Sequence, residues 1–277
     1  MMKKKRRTLL IADIVGIIVA IIIFIVPFYF MFVNSLKSQQ EAGLLNISWP
    51  SEFHFENYAK VFSYSNYQLI TAFKNSLLLT LFTVVGLLVT GAMAGYVIQR
   101  RNDKVMKTVQ WIIMLGLMIP AAILPTISLL QKLHIYKTMF GMVMIEIALQ
   151  TPFTIMLFRG YMASIPRELE EAARIDGCNP WQVFTKVIQP LLKPISSTVI
   201  ILTGVTTFND FTNPLYFMPG ADNTTVQLTL YNYKGQFASS YNLLFADIIL
   251  ITLPMLILFI FFNKKIVAGM VAGSVKG

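Results

Sequence analysis

Apolar residues gather in six long runs along this chain, at about residues 9–33, 76–98, 109–130, 139–158, 195–217 and 243–262. A bilayer core of about 30 Å is crossed by roughly 20 apolar residues in a helix. The pattern therefore predicts an all-α integral membrane protein with six transmembrane helices. The fourth run carries Glu146 and Pro152 inside it. The first run follows the basic stretch Lys3-Lys4-Lys5-Arg6-Arg7, as a signal peptide would. A secretory apolar region is only about 7–15 residues long and ends at small residues. This run is longer and is followed by Asn34-Ser35-Leu36, so it reads as an uncleaved first span. Pro27, Pro120, Pro125, Pro152 and Pro254 are expected to kink their helices.

One polar stretch, residues 159–193, is too hydrophilic to cross and too ordered for a plain loop. Pro166 suits a first helical turn. Glu168, Glu170 and Glu171 place negative charge near that helix N-terminus, where its dipole favours it. Leu169, Ala172 and Ala173 give a small apolar face at helical spacing. Asp176-Gly177 reads as the stop and turn. Asn179 then reads as an N-cap with Pro180 at the first helical position of a second helix, running to about Val187. Pro190 and Pro194 are expected to break it.

Composition sharpens the membrane reading. The chain is 56% hydrophobic and 13% charged, with a formal net charge of +10. A soluble domain carries about a quarter charged residues. The basic residues sit in short clusters between the apolar runs, so they orient the chain in the bilayer rather than bind nucleic acid. Residues 3–7, Arg100, Arg101, Lys104, Lys107, Arg159, Arg167, Arg174, Lys186, Lys193, Lys264, Lys265 and Lys276 fall on one side. Only Lys37, Lys60, Lys74, Lys132, Lys137 and Lys234 fall on the other. The positive-inside rule then puts both termini and the 159–193 stretch in the cytoplasm. Two long segments, 34–71 and 218–242, lie outside. Their aromatic residues, among them Trp49, Phe53, Phe55 and Tyr58, fit either an interfacial belt or a surface for an external partner. The single cysteine, Cys178, excludes an intrachain disulfide, and His54 and His134 lack partners at zinc-ligand spacing.

Glu171-Ala172-Ala173, Asp176-Gly177 and Pro190 resemble the EAA loop of bacterial ABC importer permeases of the type I class. The family pattern continues to I-x-L-P, where this chain has Val187 and Gln189 at the Ile and Leu positions. Other stretches extend the resemblance. Phe55-Glu56-Asn57-Tyr58 and Phe73-Lys74-Asn75-Ser76-Leu77 look like the F-x-N-Y and F-x-N-S-L elements. Phe208-Asn209-Asp210-Phe211 with Pro214 resembles the W-N-D-F-x-x-P element of sugar permeases, and residues 267–277 resemble their G-x-x-x-G-x-V-K-G tail. Together these look like the carbohydrate branch, similar to the smaller maltose-type permease and to Gram-positive oligosaccharide permeases.

That resemblance implies a type I ABC importer permease fold and a binding-protein-dependent sugar importer. Its expected layout is a cytoplasmic N-terminus and first helix (1–34), an extracytoplasmic segment (35–70), a permease core (71–263) with a coupling loop (159–194), and a cytoplasmic tail (264–277). Glu171, Ala172, Ala173, Asp176, Gly177 and Pro190 would couple the chain to an ATPase. The implied partners are a second permease forming a heterodimer, a cytoplasmic ABC ATPase dimer, an extracytoplasmic sugar-binding protein and membrane lipid. The chain itself is expected to hold no cofactor, with ATP and magnesium bound by the ATPase subunits. Consistent with this, it has no G-x-x-x-x-G-K-[ST] phosphate loop and no plausible catalytic set.

Polar residues inside spans are costly and are candidates for function. Thr206, Asn209, Asp210 and Asn213 follow i, i+3, i+4, i+7 in the fifth run and would share one face toward a sugar pathway. Phe208, with Phe211, Tyr216 and Phe217, would offer flat apolar surfaces to a sugar. The same polar groups could instead hydrogen-bond between helices. Three rival readings stand beside this one: a permease for an amino acid or polyamine, an ion-driven carrier using Glu146 or Asp210, and a membrane enzyme.

Overall fold

The computed structural model describes residues 2–120, 122–235 and 239–274. Val275, Lys276 and Gly277 of the expected tail motif lie outside them, as do the side chains of residues 3–7 and 264–274. The described chain is helical, with one isolated bridge between Lys234 and Ser239. We label its main helices α1 (Met2–Ser35), α2 (Glu56–Arg100), α3 (Lys104–Gly116), α4 (Ile123–Lys132) and α5 (Met139–Met162). They continue as α6 (Glu168–Ile175), α7 (Pro180–Leu191), α8 (Lys193–Phe208), α9 (Thr212–Phe217) and α10 (Tyr241–Ser274).

Among the described residues, three helices are long and apolar enough to cross a membrane: most of α1, α2 and α5. A fourth span results if α7 and α8, bent by 73° to each other, count as one. The structure departs from the six continuous runs in two places. The third run is split into α3 and α4 around Pro120, which has no N–H to continue a helix and restricts the residue before it. The fifth run stops at Phe208 and resumes as the short α9.

The chain divides into two compact units. The first comprises residues 1–70 and 228–254. Every residue of α1 from Asp13 to Tyr29 is exposed, so this apolar helix leaves its length to lipid or another chain. Its lower neighbours are knitted by polar side chains. Asn57 of the F-x-N-Y element donates to the Ser35 and Lys37 carbonyls at 2.9 and 3.0 Å and accepts from Asn242 at 2.9 Å. Lys37 is fully buried, its Nζ donating to the Asn46 carbonyl and side chain at 3.0 and 2.7 Å and to Asn34 Oδ1 at 3.3 Å. Burial pushes this amine below the ordinary lysine range. Within α2 the helix breaks at Tyr64-Ser65-Asn66-Tyr67, where the last three residues take φ of 47°, 56° and 61°.

The second unit comprises residues 71–227 and 255–277. Its helices α2 and α5 touch through small residues on α2. A Cβ on Gly91 would strike Thr154, and one on Gly95 would sit 2.9 Å from Phe158 Cβ and 3.1 Å from the Arg159 nitrogen. Such a G-x-x-x-G face lets two membrane helices approach backbone to backbone. One core cluster joins Ala92, Phe158, Met162 and Ile165 to Phe184, Ile188, Leu192 and Ile195. A second joins Leu79, Leu130 and Met142 to Phe217 and Met218. The F-x-N-S-L element works here: Asn75 Nδ2 donates to the Asp222 and Thr224 carbonyls, and Ser76 Oγ accepts from the Val226 N–H.

Candidate functional site

The stretch between α5 and α8 folds as two short helices and a tight turn. Pro166 precedes α6 rather than starting it, because Arg167 is its N-cap. At the other end Asp176 is the C-cap and Gly177 takes φ +85°, the left-handed region that glycine enters without cost. The Cys178 N–H reaches the Ala173 carbonyl at 3.0 Å and the Gly177 N–H reaches the Arg174 carbonyl at 3.1 Å. These two bonds form a Schellman motif. Asn179 then caps α7, accepting from the Gln182 N–H at 2.9 Å while Gln182 Oε1 accepts from the Asn179 N–H at 2.9 Å. This is a capping box, with Pro180 at the first helical position.

Pro190 does not break the second helix. Helical backbone runs on to Leu191, and Val183–Ile188 widens into a π-helix. A proline at 190 cannot donate to the residue 186 carbonyl, and its ring crowds that carbonyl. The i→i+5 spacing of a π turn absorbs both. The bend falls instead at Leu192, which is buried.

The faces of α6 are inverted relative to a surface helix. Leu169, Ala172 and Ile175 point outward, Ile175 being 86% exposed. Trp181 of α7 is exposed beside them in sequence. Glu171, Asp176, Gly177 and Pro190 are exposed as well. Inward go Ala173 and Glu170, the latter 4% exposed. The expected apolar face of Leu169, Ala172 and Ala173 is thus divided, because residues 172 and 173 are 100° apart on a helix. Glu170 is met by α2. The Arg100 Nε donates to Glu170 Oε1, and the Tyr96 hydroxyl donates to Oε2 at 2.8 Å. Arg100 also donates to the Ile165 carbonyl at 3.1 Å. Sequence reasoning assigned Arg100 to topology and Glu170 to the helix dipole, and missed their pairing. The only signal was a carboxylate on the same side as Ala173.

A second polar group of side chains gathers where α5, α8 and α9 meet. Helix α8 ends at Phe208, so Thr206, Asn209, Asp210 and Asn213 do not lie on one continuous helical face. Asp210 causes the break: its Oδ1 accepts from the N–H groups of Thr212 and Asn213 at 2.9 and 3.2 Å, turning the chain into α9. Glu146, 2% exposed on α5, accepts from Gln150 at 2.7 Å and from Asn213 at 3.2 Å. Gln150 donates also to Thr207 at 2.8 Å. Asn209 Oδ1 accepts from Gln227 at 3.1 Å, while Thr206 donates back to the Leu202 carbonyl at 2.8 Å. Phe208 and Phe217 are buried, and Tyr216 is 43% exposed. Among the described residues no group of three or more His, Cys, Asp or Glu could hold a metal ion.

Among the described residues, the arrangement is an outward apolar stripe on α6 and a separate cluster of hydrogen-bonding side chains around Glu146. The chain is 30% identical over 262 residues to the melibiose/raffinose/stachyose import permease protein MelC of Bacillus subtilis, covering 91% of each chain. It is 30% identical over 237 residues to the arabinooligosaccharides transport system permease protein AraQ of Halalkalibacterium halodurans, covering 85% of this chain and 84% of that one. The fold matches a chain of a bacterial ABC transporter involved in import of the acidic polysaccharide alginate, with TM-score 0.79, 22% identity, and 94% and 96% of the two chains covered. The family model for the inner membrane component of binding-protein-dependent transport systems matches residues 86–271. This chain, a multi-pass membrane protein and a transport subunit rather than an enzyme, belongs to the family of binding-protein-dependent transport system inner membrane components.

Proposed function

We propose that the chain is one of two permease subunits of an ATP-driven oligosaccharide importer, and that α6 and α7 are its docking element for a cytoplasmic ATPase dimer. The observation that carries the docking is the inverted α6. Leu169, Ala172 and Ile175 face outward beside Glu171 and Gly177, while a glutamate faces inward. An exposed apolar stripe on so small a helix is costly unless a partner covers it. Glu171, Ala172, Ala173, Asp176, Gly177 and Pro190 form or shape that element. Charge asymmetry supports six spans with both termini and the docking element in the cytoplasm. A second permease would cover the apolar α1, and a sugar-binding protein would deliver cargo from outside. The layout of a permease core at 71–263 with a coupling loop at 159–194 fits the same reading.

The oligosaccharide cargo is supported by two similar permeases whose names give raffinose-type and arabinose oligosaccharides. It is supported also by the polar group of Asn209, Asp210, Asn213 and Thr206, next in sequence to the buried Phe208. ATP binding would close the ATPases, displace α6 and α7, and open the sugar pathway outward to receive sugar. Hydrolysis would return it inward. The complex of both permeases, ATPase and binding protein in liposomes tests the cargo. Raffinose, arabinotriose or maltotriose is expected to stimulate ATP hydrolysis; stimulation by amino acids or polyamines instead would overturn the sugar assignment.

A further inference from the structure

Glu170 is the inward residue of α6 and a charged group in a nearly dry place. Its side chain is 6% exposed and that of its partner Arg100 is 12% exposed. Removing charges from water is unfavourable unless the geometry is tight and every lone pair is used. Here both carboxylate oxygens are used, one by Arg100 and one by Tyr96. Arg100 holds the chain entering α6 as well, through the Ile165 carbonyl. Tyr96 reaches α7 in addition, its ring 5.3 Å from that of Phe184, which lies 6.2 Å from Trp181. One residue earlier, Gly95 lets α2 press against the α5 backbone. The end of α2 is therefore tied to both docking helices by a buried ion pair, a hydroxyl and an aromatic contact.

We infer that Glu170 is a positioning residue that fastens α6 to the end of α2 through Tyr96 and Arg100, so that any displacement of α6 carries the end of α2 with it. The apolar contacts alone would let α6 slide, since dispersion is non-directional. A two-point carboxylate clamp fixes both distance and rotation. Glu171 would face the ATPase and its neighbour Glu170 would pass the motion into the membrane. This inference rests on the docking role proposed above for α6 and α7.

The test uses the whole importer in liposomes with Glu170→Gln, Tyr96→Phe, and the reciprocal pair Glu170→Arg with Arg100→Glu. A spin label at Val97→Cys, in a Cys178→Ser background, reports α2. ATP with vanadate is expected to change the label's mobility in the otherwise unaltered importer. In Glu170→Gln the change should be lost while ATP hydrolysis continues, and raffinose moved per ATP should fall by about fivefold or more. Tyr96→Phe should give a weaker form of the same uncoupling, and the reciprocal pair should restore the label's response. A full mobility change in Glu170→Gln, with normal transport per ATP, would overturn the inference. Loss of assembly in all variants, without rescue by the reciprocal pair, would also overturn it by making the contact one of folding only. An unaltered importer that never responds to ATP would instead remove the docking reading itself.

Discussion

Gly177 sits at φ +85° with open space where a Cβ would go. Its substitution therefore costs backbone strain and not a clash. Gly177→Ala should destabilise the turn by about 1–2 kcal/mol, seen as faster amide exchange at residues 176–179 with the subunit still in the membrane. Asp210 holds the Thr212 and Asn213 N–H groups at the start of α9. Asp210→Ala should shift the dose response of raffinose-, arabinotriose- or maltotriose-stimulated ATPase activity; an unchanged response across the three would remove Asp210 from the sugar pathway. Asp103 caps α3 by accepting from the Met106 N–H at 2.9 Å, and that bond, with Arg101 beside it, holds its carboxyl below the usual 3.8. A depressed carboxyl adds stability that is complete above the unfolded value and fades as pH falls through the folded one. Fraying of the α3 N-terminus, followed by amide exchange, should thus appear below about pH 4 and be absent at pH 6.

At the scale of helices, the α2–α5 contact depends on having no side chain at Gly95. Gly95→Leu would drive a side chain into Phe158 and the Arg159 backbone, and backbone cannot swing aside. Separation of the pair should lower the melting temperature of the purified subunit and abolish transport; an unchanged melt would contradict the packing. The local features of this architecture were legible in sequence. Asn179, Pro180 and Gly177 act on backbone groups within three residues of themselves, so their chemistry names their position. The interruptions were not. Hydropathy continues smoothly through 109–130 and 195–217; Pro120 signalled a kink but not a full break, and the turn made by Asp210 gave no signal. The Glu170 clamp was illegible for another reason: its partners stand 70 and 74 residues away, and no local spacing reports them.

For the molecule as a whole, the proposed function divides the work: the inverted α6 would take the drive and the polar group around Glu146 would meet the cargo. Helices α6 and α7 leave Leu169, Ala172, Ile175 and Trp181 exposed, the surface that the proposed ATPase would cover. An importer driven by an ion gradient would have no use for that stripe. The most direct test places a charge at its edge. Gly177→Asp adds both the left-handed strain and a carboxylate at the exposed turn, without touching the spans. Uptake of the stimulating oligosaccharide by cells carrying this variant should be abolished while membrane levels of the subunit stay normal. Normal uptake in that variant would contradict the claim that the chain is driven through α6 and α7.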